Sequence, residues 1–158
     1  MNTSRHGRHH AWIALIVFLG IAVGGGMAIG TVTRPGEWYA ALAKPWFNPP
    51  NWIFGPVWGA LYILIGVAGW RIWMRARRGL AMTLWCVQLG LNFLWSPLFF
   101  AAHRIDLALG VIVLMLVTIL AFIATAWRVD RLAGLLFVPY AIWVAFATLL
   151  NAAILMLN

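Results

Sequence analysis

Three polar side chains recur on one face of a long apolar stretch in the middle of the chain. Gln88, Asn92 and Ser96 lie four residues apart, which places them on the same side of an α-helix, and Trp85 and Trp95 flank them. Amides and hydroxyls in such a row can hydrogen-bond neighbouring helices or anchor a ligand between helices. The spacing leaves both interpretations open.

Two further apolar stretches carry aromatic side chains along one helical face. The first face consists of Trp58, Tyr62, Gly66 and Gly69, and the second of Tyr140, Trp143, Ala147 and Asn151. A tryptophan belt at the membrane interface does not readily explain four of the 11 tryptophans, namely Trp46, Trp58, Trp95 and Trp143. Flat rings along helix faces suit a flat aromatic ligand, which they bind by stacking.

The sequence shows no catalytic constellation. The three acids, Glu37, Asp106 and Asp130, lie at the edges of loops, and the apolar stretches lack the acids or bases of a proton relay. This disfavours an ion-coupled pump. No metal site is expected, although the histidines of the N-terminal tail leave a metal site there as the alternative to a solvated tail: His6, His9 and His10.

Composition requires a lipid environment. Of the 158 residues, 65% are hydrophobic and 9% charged, too few charges to cover a soluble surface. Five apolar segments are long enough to cross a bilayer, at 11–33, 51–74, 80–102, 107–127 and 132–155. Because helices satisfy their own backbone in lipid, the sequence predicts one all-α domain over 1–158. It is a five-transmembrane-helix bundle with a long loop, 34–50, between helices 1 and 2.

The positive charges indicate topology. The net charge of +8 comes from short basic clusters between apolar segments, which does not suit nucleic acid binding. Eight of the 11 bases fall on the side of the N-terminus, against Arg34, Lys44 and Arg104 on the other. We therefore expect a multi-pass membrane protein with a cytoplasmic N-terminus and an external C-terminus. In a bacterium, a helical bundle of this kind is expected in the cell membrane.

Small residues predict close helix contacts in the first segment. Gly20 and Gly24 are spaced as GxxxG, as are Gly26 and Gly30. Such spacing lets another helix approach closely, so it favours either homodimerisation through glycine-rich faces or packing within the chain.

Five motifs follow one another in a recognisable order. They are PGEWY at 35–39, KPWFNPP at 44–50, FGPVWGALY at 54–62, QLGLNFLWSPLFF at 88–100 and PYAIWVAFATLLN at 139–151. This order closely resembles the TspO/translocator protein family, also called the tryptophan-rich sensory or peripheral-type benzodiazepine receptor family. The resemblance covers nearly the whole chain and leaves out only the first ten residues.

The resemblance implies a five-helix bundle, usually homodimeric, with a ligand cavity under the first loop, which would serve as a lid. Family ligands are porphyrins and haem-like tetrapyrroles, sterols in animal members, and synthetic isoquinoline or benzodiazepine compounds. No cofactor is required. With Trp58 added from its aromatic face, the implied ligand-binding residues are Trp46, Phe54, Trp58, Tyr62, Asn92, Trp95, Trp143, Ala147 and Leu150.

Three functions are compatible with the sequence. The first is a membrane receptor or transporter that binds porphyrins. The second is light-dependent porphyrin degradation, because Trp46 and Trp143 resemble the tryptophans linked with it in some members. The third is a scaffold without a dedicated ligand. The tyrosine and arginine that follow the fifth-helix asparagine in animal members are missing after Asn151, so sterol binding there is not expected and the chain looks bacterial.

Overall fold

The computed structural model describes residues 3–158, with side chains from His9 onward. Its α-helices are Thr3–Leu19, Gly25–Val32, Glu37–Ala41, Asn51–Ala76, Leu80–Ser96, Ile105–Val129 and Arg131–Leu157, and Gly20–Gly24 and Pro97–Ala101 are π-helical. The side chain of His6, and with it part of the alternative metal site in the tail, lies outside the described residues.

Five helices are long and apolar enough to cross a membrane, which confirms the predicted all-α fold. We call them spans 1 to 5: His9–Val32, Asn51–Ala76, Leu80–Ala101, Ile105–Val129 and Arg131–Leu157. The predicted apolar segments fall on these helices. Spans 4 and 5 begin and end slightly beyond the apolar limits because charged residues at the membrane interface can continue a helix.

The spans pack in a closed order of 1, 2, 5, 4 and 3, and the second half of span 1 returns to contact span 3. Span 2 touches all four other spans, so it lies at the centre of the contacts. Its approach to span 1 depends on Gly66, where a Cβ atom would lie 3.1 Å from the Cα atom of Leu19. Helices in lipid are not driven together by the hydrophobic effect. The van der Waals contacts of such a close backbone approach stabilise their association instead.

Aromatic rings fill the half of the bundle that adjoins the N-terminus. Phe122 of span 4 and Phe137 of span 5 are fully buried, with ring centroids 4.0 Å apart. The indole of Trp85 lies over Gly69 and donates to the carbonyl of Ile65 at 2.9 Å. Because this half is tightly packed, the open space within the bundle lies in the other half.

Asp130 joins the end of span 2 to the start of span 5. Its buried carboxylate lies 2.9 Å from Nε of Arg71 and also pairs with Arg75. As the N-cap of span 5, it accepts hydrogen bonds from the backbone N–H groups of Leu132 and Ala133. Burial opposes the charged form, but these donors outweigh it, so the pKa of Asp130 lies below its usual value.

Replacing Asp130 by Asn should lower the stability of the bundle by about 2–3 kcal/mol, because two arginines lose their counter-ion at a partly buried site. Thermal unfolding in detergent measures this. The matched control is Asp106→Asn, since Asp106 forms an exposed pair with Arg104 and should contribute little.

The same comparison has a defined pH dependence. Because the native pKa of Asp130 is depressed, its contribution is complete above the ordinary carboxyl pKa of about 3.9 and disappears as the pH falls through the native pKa. The difference between wild type and Asp130→Asn should therefore vanish in strong acid. A difference that is the same at neutral and strongly acidic pH would contradict this assignment.

Candidate ligand-binding cavity

A cavity of about 490 Å³ lies in the half of the bundle that adjoins the first loop. Its walls come from the second halves of spans 1, 3 and 5 and the first half of span 2, and Met115 of span 4 lies at its inner end. Residues 34, 35 and 39 of the first loop contribute to its rim. This volume is in the range of pockets that hold small organic ligands.

Eight of the nine sequence-predicted ligand residues lie on the cavity wall. They are Phe54, Trp58, Tyr62, Asn92, Trp95, Trp143, Ala147 and Leu150. Trp46 lies elsewhere: its side chain is 96% exposed and meets Phe47 edge to face, with ring centroids 5.6 Å apart. The structure thus brings together the residues of spans 2, 3 and 5 and leaves the loop tryptophan outside.

Asn92 is the polar centre of the cavity wall. Its Oδ1 accepts a hydrogen bond of 2.7 Å from the hydroxyl of Tyr62, and its Nδ2 donates one of 2.9 Å to the hydroxyl of Tyr140. The Tyr140 hydroxyl in turn donates to Sδ of Met115 at 3.4 Å. One amide therefore links spans 2, 3 and 5, and the chain of bonds continues to span 4.

A second polar link lies closer to the first loop. The indole N–H of Trp95 donates to Oδ1 of Asn151 at 3.1 Å, and Nδ2 of Asn151 donates to the carbonyl of Ile105 at the start of span 4. On the opposite wall, the hydroxyls of Thr33 and Ser96 are 2.6 Å apart and join span 1 to span 3. Asn92 and Ser96 thus both line the cavity and connect helices, so the two interpretations of their row coexist.

The third member of that row, Gln88, is not on the cavity wall. Its side chain is fully buried, and its Nε2 donates to the carbonyl of Trp85 at 2.9 Å. Gln88 belongs to the tightly packed half of the bundle, one helical turn below Asn92.

Trp143 presents a different kind of polar group. Its Nε1 is buried and has no hydrogen-bond partner among the residues that the structure describes. The ring meets Phe54 nearly edge to face, with centroids 5.8 Å apart. A buried N–H without a partner is costly, so this group would gain from an acceptor that a small rotation of the indole brought within reach.

The first loop is held against the bundle by its short helix, Glu37–Ala41. Tyr39 is buried and meets the rings of Phe99 and Phe100, which the π-helical end of span 3 carries. Burial raises the pKa of the Tyr39 hydroxyl, and its hydrogen bond to Asn48 opposes that rise.

Two contacts outside the cavity complete this attachment. Trp38 stacks on His103, with ring centroids 4.1 Å apart and 16° between the planes. The side-chain amide of Asn158 both accepts from the backbone N–H of Ala43 and donates to its carbonyl, each at 3.0 Å. The loop thus contacts the connector between spans 3 and 4 and the end of span 5.

Sequence reasoning missed the contribution of span 1. Gly26, Gly30 and Thr33 line the cavity, whereas the spacing of the two glycines indicates helix packing alone. Gly26 does both, because a Cβ atom there would lie 2.2 Å from the ring of Tyr62. The available signal was the row of Gly26, Gly30 and Thr33 on one helical face.

Aromatic and aliphatic side chains make up most of the cavity wall. Within residues whose side chains are described, no three His, Cys, Asp or Glu groups lie close enough to share a metal ion. Arg34 at the rim is the cation beside the cavity.

The fold and the cavity define a class of protein, a multi-pass helical membrane protein with an aromatic-walled cavity. The model of the TspO/MBR family matches residues 12–157, and the chain belongs to this family. It is 39% identical over 147 residues to the tryptophan-rich sensory protein of Cereibacter sphaeroides, covering 93% of this chain and 92% of that protein. It is 40% identical to protein CrtK of Rhodobacter capsulatus, covering 90% and 91%.

The similarity extends to animals. The human translocator protein is 37% identical over 138 residues, which cover 84% of this chain and 80% of the human protein. Family membership supports a membrane sensory or translocator protein.

Replacing Asn92 by Leu should lower the stability by about 1–2 kcal/mol, because the hydroxyls of Tyr62 and Tyr140 each lose a buried partner. A double-mutant cycle with Tyr62→Phe tests the cause. Tyr62→Phe should cost less in the Asn92→Leu background than in wild type, measured by thermal unfolding in one detergent. Strictly additive costs would show that the two side chains do not interact.

Proposed function

We propose that this protein is a membrane receptor or transporter that binds a porphyrin, or a related flat tetrapyrrole, in the cavity between spans 1, 2, 3 and 5. The observation that carries the proposal is the wall itself, in which aromatic rings surround a space of about 490 Å³ with few polar groups. Flat apolar ligands gain binding energy from such rings by offset or edge-to-face contacts.

The polar groups of the cavity match the edge of a porphyrin. A porphyrin has an apolar macrocycle and carboxylates on one side. Arg34 at the rim can pair with a carboxylate. The buried N–H of Trp143, which has no partner among the described residues, would become a donor deeper in the wall after a small rotation of the indole. We infer that the macrocycle enters with its apolar edge towards Met115 and its carboxylates towards the first loop.

The first loop, residues 34–50, is the proposed lid over this site. Its aromatic contacts with span 3 and its amide pairing with Asn158 hold it in place, and the exposed ring of Trp46 is free to meet a ligand that approaches from outside. With the N-terminus in the cytoplasm, the lid and the cavity face the external side. The proposed location is a bacterial cell membrane, with an outer membrane as the alternative.

We also propose a homodimer through the glycine-rich face of span 1. Gly26 is occupied within the chain by Tyr62. Gly20 and Gly24 instead have open space beyond their Cα atoms, which a second helix could fill.

The two alternative functions are less well supported. For light-dependent porphyrin degradation, Trp143 is on the cavity wall but Trp46 is not, so the two tryptophans do not form one site in this structure. For a scaffold without a ligand, aromatic side chains would be expected to fill the space that they surround. These alternatives therefore rank behind binding.

Filling the cavity should abolish binding without unfolding the bundle. Ala147→Phe adds a ring to the wall, and we expect at least a tenfold loss of protoporphyrin affinity, measured by quenching of tryptophan fluorescence. Ala145→Phe is the matched control, because Ala145 is exposed on the outer face of the same span. Equal affinity in the two variants would place the ligand outside the cavity.

Trp143→Phe tests the proposed hydrogen bond. The variant keeps an aromatic ring but removes the N–H, so protoporphyrin should bind about fivefold more weakly, equivalent to roughly 1 kcal/mol. A porphyrin esterified at its carboxylates distinguishes the acceptor: if Trp143 contacts a carboxylate, the ester should bind wild type and variant with more nearly equal affinity. Unchanged protoporphyrin affinity in Trp143→Phe would remove this residue from the recognition scheme.

A further inference from the structure

The end of the bundle away from the cavity holds a concentration of positive charge that the proposed function does not use. Six arginines lie near the end of span 2 and the connection between spans 4 and 5: Arg71, Arg75, Arg77, Arg78, Arg128 and Arg131. The chain has three acids, and Glu37 and Asp106 are at the opposite end. Asp130 is therefore the one acid that the sequence places among these six arginines.

The two groups of arginines are brought together by that carboxylate. Asp130 contacts Arg71 and Arg75 of span 2 directly. Arg128 and Arg131 are two residues before it and one residue after it, so they lie beside the end of span 2. This contact therefore brings the arginine-bearing end of span 2 and the connection between spans 4 and 5 to the same end of the bundle.

Asp130 has no capacity left for the remaining arginines. Its two oxygens already accept from both span 2 arginines and from the first turn of span 5. Among the side chains that the structure describes, the exposed guanidinium groups of Arg78, Arg128 and Arg131 have no acidic partner. Arg77 lies 5.4 Å from the centre of the Trp73 ring, a cation–π contact that leaves its charge uncompensated. We call Arg77, Arg78, Arg128 and Arg131 the arginine cluster.

The arginine cluster lies at the depth of lipid headgroups. Trp70, Trp73 and Trp127 are close to it in the chain, and tryptophans near span ends favour the membrane interface. Guanidinium groups there meet phosphate oxygens, which they bind through paired N–H donors. The negative surface of a cytoplasmic leaflet attracts each such side chain further.

We propose that the arginine cluster is a binding site for the phosphate of an anionic phospholipid. The lipid headgroup supplies the negative charge that Asp130 cannot, and its acyl chains lie along the apolar outer faces of spans 2 and 4. This proposal concerns the opposite end of the bundle from the cavity and is independent of the porphyrin proposal.

The experiment titrates purified protein in detergent with phosphatidylglycerol or phosphatidylcholine and follows the midpoint of thermal unfolding and the bound lipid by native mass spectrometry. Phosphatidylglycerol should bind and stabilise the protein more than phosphatidylcholine does. Arg128→Gln/Arg131→Gln should weaken phosphatidylglycerol binding about 25-fold, at about fivefold per arginine. The control Lys44→Gln/Arg104→Gln removes two charges at the other end and should change it less than twofold.

A second variant, Arg77→Gln/Arg78→Gln, removes the other half of the cluster and should give a similar loss, which keeps the test informative if one variant folds poorly. Equal stabilisation by the two lipids would overturn the proposal, as would an equal loss in the control variant. Inorganic phosphate is the third arm. If phosphate alone gave the full stabilisation, the site would bind a free anion and the lipid proposal would be wrong.

Discussion

Asn92 is buried among apolar side chains near the middle of the membrane, where an amide without partners would be costly. Its oxygen and nitrogen are satisfied by two tyrosine hydroxyls from different spans, Tyr62 and Tyr140. The three side chains fix the separation and rotation of spans 2, 3 and 5 at one level. Because helices in lipid lack a hydrophobic force between them, such a specific polar contact determines which faces meet. The cavity lies next to this contact, on the side of the first loop.

Above that level the helices are held apart by aromatic rings that contact one another. The ring of Trp58 contacts that of Tyr62, and the ring of Trp143 contacts that of Phe54. The first loop covers this end of the bundle through its own aromatic contacts with span 3. Below it, Gly66 and Gly69 allow spans 1, 2 and 3 to close. The same helices therefore form a packed half and an open half. Their arginine-rich end is continuous with the packed half, so the proposed lipid site and the proposed ligand site lie at opposite ends.

The five spans could be predicted from the sequence because length and apolar composition alone decide them. Helical periodicity predicted the aromatic and polar faces of spans 2, 3 and 5. Most residues of these spans that line the cavity belong to the predicted faces or lie next to them. The contribution of span 1 to the cavity was harder to predict, because glycines have no side chain to indicate a pocket. Their spacing is also the same whether they pack against another helix or line a cavity. The location of Trp46 could not be derived, because a loop with four prolines has no periodicity from which to orient a side chain. The role of Asp130 was also missed, since it depends on a contact between distant parts of the chain.

The central claim is that the aromatic cavity receives a flat ligand beside Asn92 and beneath the first loop. An experimental structure of the protein with protoporphyrin bound tests it most directly. We predict the macrocycle between spans 1, 2, 3 and 5, in contact with Trp143 and Ala147, with a carboxylate near Arg34 and the network of Asn92 unbroken. A macrocycle bound on the lipid-facing surface, with the cavity unchanged, would contradict the account.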